Sequence, residues 1–252
     1  LTIITPISLD HTEILGNSIE KISFEKAGIM KPGIPCITAE QTENAYSILQ
    51  QEADNQNCKL ILADKNLLHD IHPSLLGKYQ FENACLAATS MQFLTGFNIS
   101  NENIKQGVEQ TTWYGRNEII QQQPKVIFDV GHNESGIRGF LDYFNNLDNS
   151  GTSILILSLQ RKKNILGIVP LIYQSFDFII CCETDNTRTM TLDEILFQMG
   201  ESKKIMYINS SIDAINKGLK LLKNNNDTMA IVGTHHFGKP ISSIFNKSFN
   251  IL

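Results

Sequence analysis

Four places in this 252-residue chain carry residues whose types and spacing could do chemistry. Asp10, His11 and Glu13 lie just past an apolar, β-branched run at Thr2 to Ile7 that reads as a buried strand, and open α/β sheets hold ligands at such carboxyl ends. Lys26 follows in a helical pattern with Ile19 and Ile22 at i, i+3, i+7, which puts a lysine on an apolar stripe. An unpaired buried ammonium is costly, so the group is paired, neutralised or chemically altered, or else it buries only its stem and keeps its charge in water. Arg116 comes after Gly115 in Thr-Thr-Trp-Tyr-Gly-Arg-Asn-Glu (111–118), where a sharp turn would present a planar fork suited to phosphate oxygens. Asp129 and His132 close a strand and open a helix; there an acid can bond a ribose hydroxyl and an imidazole can meet phosphate beside free backbone donors. Each has a plain alternative. Arg116 alone is a solvated charge, Asp129 a helix cap and His11 a loop histidine bonded to backbone; a further polar residue, Asn83, reads by itself as a surface or capping amide.

The elements that must position these residues are legible. Asn17 is the expected cap of the helix over 19–27, with Glu20 completing a capping box, Gly28 in a left-handed closing position, and Lys21 and Glu25 as a pair at i, i+4. Strands are expected at 34–38 and 59–63, and helices at 42–53, 80–95 and 101–110, the last capped by Ser100 or Asn101. The polar run Gln121-Gln122-Gln123-Pro124 suggests a domain boundary. Beyond it, strands at 125–130, 152–158, 176–182, 204–208 and 228–233 alternate with helices at 134–147, 163–174, 191–199 and 211–223. That alternation predicts a Rossmann-like parallel sheet. His69 and His72 read as surface residues, and His235 and His236 as loop residues.

The totals narrow the classes. A net charge of −5 gives no footprint for nucleic acid or an acidic membrane. No apolar run reaches about 18 residues, so no membrane span is expected. The five cysteines show no metal-site spacing and read as buried, reduced thiols of a cytoplasmic protein.

Leu-Asp-His-Thr-Glu-Ile-Leu-Gly (9–16) followed by Glu-Lys-Ala-Gly-Ile-Met-Lys-Pro-Gly (25–33) resembles the folylpolyglutamate synthase/dihydrofolate synthase family of the Mur ligase superfamily. Gly77 to Ala84 is similar to that family's Gly-His-Gln-x-x-Asn-Ala, with Tyr79 in place of histidine. Trp113 to Arg116 is similar to Trp-Pro-Gly-Arg, with Tyr114 in place of proline. Asp129 to Glu134 is similar to Asp-Gly-Ala-His-Asn-Pro, with three departures, at Val130, Gly131 and Glu134. The resemblance implies an α/β fold: the remainder of a Mur-ligase-type central ATPase domain over 1–120, then a C-terminal Rossmann-like ligase domain over 121–252. It implies that His11 binds magnesium and that Lys26 is carbamoylated, an anionic oxygen ligand near the metal. It implies that Asn83, Arg116, Asp129 and His132 hold ATP.

The implied reaction adds L-glutamate to dihydropteroate or a (tetrahydro)folate through an acyl phosphate, with ATP and Mg²⁺, in a monomer with small-molecule partners only. A ligase of this kind needs Gly-x-x-x-x-Gly-Lys-Ser/Thr, which these residues lack. The chain opens at Leu1 inside a strand, so it is expected to be the later part of a longer protein and inactive by itself. The alternatives are a ligase of muramoyl-peptide precursors and a non-catalytic nucleotide-binding fragment. A metallohydrolase would need a fuller histidine set than His11 offers.

Overall fold

The computed structural model describes residues 1–249. Two compact units divide the chain, Leu1–Thr112 and Trp113–Leu252. The first contains β1 (Thr2–Ile4), α1 (Thr12–Leu15), α2 (Ile19–Ala27), β2 (Cys36–Thr38), α3 (Glu43–Asn55), β3 (Leu60–Leu62), α4 (Lys78–Met91) and α5 (Asn101–Gln110). Its three strands run parallel in the order β1-β2-β3, with Thr2 opposite Cys36 and Cys36 opposite Leu60. Parallel neighbours need long connections, and α2 and α3 supply them. Ile22 and Ala27 of α2 pack with Ala45, Leu49 and Ala53 of α3 over Ile4 and Cys36. Ser100 caps α5 in a full capping box with Asn103.

The helix bearing Lys26 departs from expectation in five ways. Its cap is Ser18, whose hydroxyl accepts the Lys21 N–H at 3.3 Å, so Asn17 lies outside. Glu20 instead accepts from the Asn44 amide at 2.7 Å, tying α2 to α3. Gly28 is right-handed at φ −56°, and the helix tightens to a close through Met30 N–H to Ala27 O at 2.8 Å. Lys21 and Glu25 form no ion pair. Lys26 falls by angle among Ile22, Ser23 and Ala27, which are buried, yet it is exposed. The short side chain at 27 stays under the neighbouring layer. The long one at 26 reaches water, where its charge avoids the cost of desolvation.

The second unit contains β4 (Glu118–Gln121), β5 (Lys125–Asp129), α6 (Glu134–Asn145), β6 (Ser153–Leu157), α7 (Val169–Ser175), β7 (Phe178–Cys182), α8 (Leu192–Met199), β8 (Ile205–Ile208), α9 (Ser211–Leu221), β9 (Thr228–Val232) and α10 (Gly238–Phe245). Its sheet runs β4-β5-β9-β6-β7-β8, parallel except for β4. Gln121 to Pro124 is therefore the bend of the antiparallel β4–β5 pair, inside this unit.

Helices cover both faces. Ile137, Phe140 and Phe144 of α6 pack with Phe176, Ile195 and Met199 on one face. Ala214 and Ile215 of α9 and Ile241 of α10 cover the other. Burial of each phenylalanine contributes about 2–3 kcal/mol. β9 thus sits between β5 and β6 while its following helix, α10, lies on the opposite face from theirs. That is a switch point of the kind that opens a crevice at the carboxyl ends of the strands.

Gly233 ends β9 at φ +112°, and a Cβ there would fall 2.0 Å from the Ser158 carbonyl oxygen. Asp227 enters β9 by accepting N–H bonds from Lys223, Asn224 and Thr152, and those to Lys223 and Asn224 hold its carboxyl below the usual range. All five cysteines are free and buried, and burial pushes the Cys181 thiol up to about 12. No helix among the described residues is long and apolar enough to cross a membrane.

Candidate functional site

The second unit gathers three of the singled-out residues into one loop cluster. Gly115 turns at φ +66° and Asn117 at φ +48°, so the chain on either side of Arg116 is left-handed. The Gly115 N–H donates to Glu118 Oε2 at 2.8 Å, and its carbonyl accepts from Val130 N–H at 2.9 Å. A Cβ at 115 would meet Val130 Cγ1 at 2.5 Å, so the close approach of turn to strand requires glycine.

Asp129 completes the link. Its side chain lies at the end of β5, with the residue only 1% exposed. Oδ2 accepts the Asn117 N–H at 2.9 Å and Oδ1 the Gly131 N–H at 2.7 Å. Charge-assisted bonds of this kind are the strong ones, about 1.5–3 kcal/mol each. Asp129 therefore helps to hold the turn that carries Arg116, a role the sequence did not suggest. Arg116 is half-buried, and among the described residues its guanidinium has no hydrogen bond or ion pair. It is a cation with its five donors open, carried on a turn that is bonded to the end of β5.

His132 is half-buried beside the same loop. Its Nδ1 lies 3.1 Å from the Val130 carbonyl, an acceptor only, so Nδ1 carries a hydrogen. Asn133 caps α6 by accepting the Gly136 N–H at 2.8 Å. Loop and helix approach so closely that a Cβ on Gly131 would fall 2.9 Å from the Gly136 carbonyl carbon. Arg116, Asp129 and His132 thus share one connected piece of backbone.

The first unit is different. His11 is the residue before α1, left-handed at φ 51°, with its side chain 61% exposed. Its N–H donates to Asp10 Oδ1 at 2.9 Å, and its Nε2 lies 3.9 Å from Asp10 Oδ2. A non-glycine residue held in this region stores about 1–3 kcal/mol of strain, a cost that tends to collect at functional sites. No hydrogen bond joins His11 to the exposed Lys26.

Among the described residues no group of three or more His, Cys, Asp or Glu side chains is placed to hold a metal. Asp10 and His11 offer two donors where Mg²⁺ takes about six, mostly oxygen, and an unmodified amine adds nothing. These residues do not fit a magnesium site by themselves. Asn83 sits apart on α4, where its amide donates to Gln80 Oε1 at 3.2 Å. It lines a cavity of about 360 Å³ with Ala84, Ala87, Met91, Ile104 and Val108.

Sequence reasoning missed Glu118, which bonds the turn, and the left-handed Asn117 within it. Glu118 is one acid among 26, and nothing in its neighbours marks it as a partner of Gly115.

Residues 115–235 match the family described as Mur ligase, glutamate ligase domain. Over 270 aligned positions the chain is 29% identical to the dihydrofolate synthase/folylpolyglutamate synthase of Bacillus subtilis, covering 94% of this chain and 60% of that protein. The fold superposes on Mycobacterium tuberculosis folylpolyglutamate synthase complexed with ADP at a TM-score of 0.87, with 21% identity over 98% of this chain and 63% of that one. It also superposes on the bifunctional folylpolyglutamate synthase/dihydrofolate synthase of Yersinia pestis complexed with AMPPNP and Mn ion. There the TM-score is 0.80 and the identity 19%, over 97% of this chain and 60% of that one. At these identities the structural likeness establishes the fold. The chain spans about 60% of the length of these relatives.

Proposed function

We propose, since the chain belongs to the folylpolyglutamate synthase/dihydrofolate synthase family, that it carries nucleotide-binding and glutamate-ligating parts of an ATP-dependent carbon–nitrogen ligase. The acceptor is dihydropteroate or a (tetrahydro)folate, and the amine is that of L-glutamate. One observation carries the reading: a guanidinium without an internal partner, held by a turn whose backbone is bonded to the strand-end acid Asp129.

In the proposed reaction an acceptor carboxylate oxygen bonds to the γ-phosphorus of ATP as the bond to ADP breaks. The glutamate amine then attacks the acyl carbon of the resulting acyl phosphate. A carbon–nitrogen bond forms, phosphate departs with the acyl oxygen's electron pair, and the nitrogen loses a proton. Arg116 would bind phosphate oxygens in both steps, where its fork matches their geometry. His132, beside the N-terminus of α6, would donate from Nε2 to the same anion as an imidazolium, since its Nδ1 hydrogen faces the Val130 carbonyl. Asp129 would act through the turn it holds.

His11 and Lys26 stand at the edge of this reading. With donors from a longer ligase they would add an imidazole and, if carbamoylated, an anionic oxygen, and neither step above depends on them. A second reading, a nucleotide-binding module without turnover, is favoured by the lack of Gly-x-x-x-x-Gly-Lys-Ser/Thr in the 252 residues.

Calorimetric titration with ADP and AMPPNP tests the common part. Arg116→Ala should weaken binding by roughly 10- to 100-fold, the equivalent of one or two charge-assisted hydrogen bonds. Equal affinity in wild type and variant would remove Arg116 from the site. Detection of glutamylated product after incubation with ATP, dihydropteroate and glutamate separates the two readings.

A further inference from the structure

We infer that the segment after α10 is a positioning device for the Arg116 turn, with Lys247 and Phe249 as its two grips; this rests on the reading of Arg116 as a nucleotide contact. Asn246 ends α10 in a left-handed conformation at φ 50°, which reverses the chain. The next residues run back over the β4–β5 pair. Phe249 is 9% exposed and joins the apolar cluster on this face of the sheet. Its ring meets Tyr114 edge to face, with centroids 5.3 Å apart and planes at 89°. It meets Phe128 of β5 in a similar way at 5.9 Å. The Lys247 ammonium lies 2.7 Å from Glu118 Oε1 and 6.0 Å from the centre of the Phe249 ring.

The two grips fall on opposite ends of the turn. Tyr114 precedes Gly115 and Arg116, and Glu118 follows Asn117. Glu118 spends its second oxygen on the Gly115 N–H, so fixing one carboxylate fixes both the ammonium and the turn. Asp129 holds the middle of the turn from the sheet side. Arg116 is thus suspended between three anchors, two of them supplied by the tail. A turn already held in place before a ligand arrives loses little backbone entropy on binding. Lys247 and Phe249 touch no reacting atom in this scheme. They act on affinity through the turn.

Hydrogen exchange and ADP titration of the 252-residue chain test the inference, with Lys247→Met, Phe249→Ala and Lys247→Arg. Lys247→Met and Phe249→Ala should each speed amide exchange across 113–118 by about tenfold and weaken ADP binding by roughly three- to tenfold. Exchange in β6 and β9 should stay slow, and Lys247→Arg should restore both readouts by returning the charge. Unchanged exchange at 113–118 in Lys247→Met overturns the tail as an anchor, even if Phe249→Ala fails to fold. Faster exchange with unchanged ADP affinity overturns its bearing on nucleotide. Should wild type itself not bind ADP, the nucleotide reading and the affinity effect fall together, while the exchange arm still decides whether the tail holds the turn.

Discussion

Asp129→Ala should cost the second unit about 3–5 kcal/mol and abolish the nucleotide binding proposed for Arg116. The carboxylate is buried and accepts two backbone N–H groups, from Asn117 and Gly131. Alanine leaves both donors buried without their acceptor, each at about 1–3 kcal/mol, and removes the link that holds two left-handed residues in place. Asp129→Asn keeps the shape but offers one acceptor oxygen where two are used, so its loss should be roughly half as large. Urea unfolding followed by circular dichroism measures both. A midpoint shift for Asp129→Ala worth under about 1 kcal/mol would mean that the turn is held by something else, and the account of Arg116 would fall with it.

Gly233→Ala should damage the same unit for a different reason. Glycine at φ +112° is strained for any other residue, and here the new carbon would also fall 2.0 Å from the Ser158 carbonyl oxygen. Both partners are backbone at the ends of β9 and β6, in the middle of the sheet, so neither gives way cheaply. Gly200 provides the comparison. It has φ +71°, and a Cβ there meets nothing within 4 Å. Gly200→Ala should cost about 1–2 kcal/mol from backbone strain alone. Gly233→Ala should cost more than about 3 kcal/mol and leave little folded protein at 37 °C. Equal melting temperatures for the two variants would show that the strand end moves aside without penalty.

Most of the second unit could be read from the chain before its coordinates. The five parallel strands are continuous apolar runs because helices bury both their faces, and continuous runs are the signature of such strands. β4 escaped notice because Glu-Ile-Ile-Gln, half-buried throughout at the sheet edge, neither alternates nor forms an apolar block. α10 opens on Gly-Lys-Pro, which reads as a loop; Pro240 is tolerated because it falls in the first turn. The site divides in the same way. Motif wording located Arg116, Asp129 and His132, and local chemistry explained how each could meet a ligand. The part Asp129 plays was hidden because its partner, the Asn117 amide, comes from a separate turn and every residue has such an amide. Lys26 misled for a related reason: helical angle fixes the direction of a side chain, while how far the covering layer extends depends on tertiary structure.

The distribution of the thiols gives the molecule a built-in reporter. Cys36, Cys58 and Cys85 sit in one unit and Cys181 and Cys182 in the other, every one shielded. A sulfhydryl reagent can reach them only through opening events, and its rate of attack tracks how often each region opens. With peptide mapping, a single labelling course in native buffer would resolve the two halves of the chain separately, without added dyes or engineered probes.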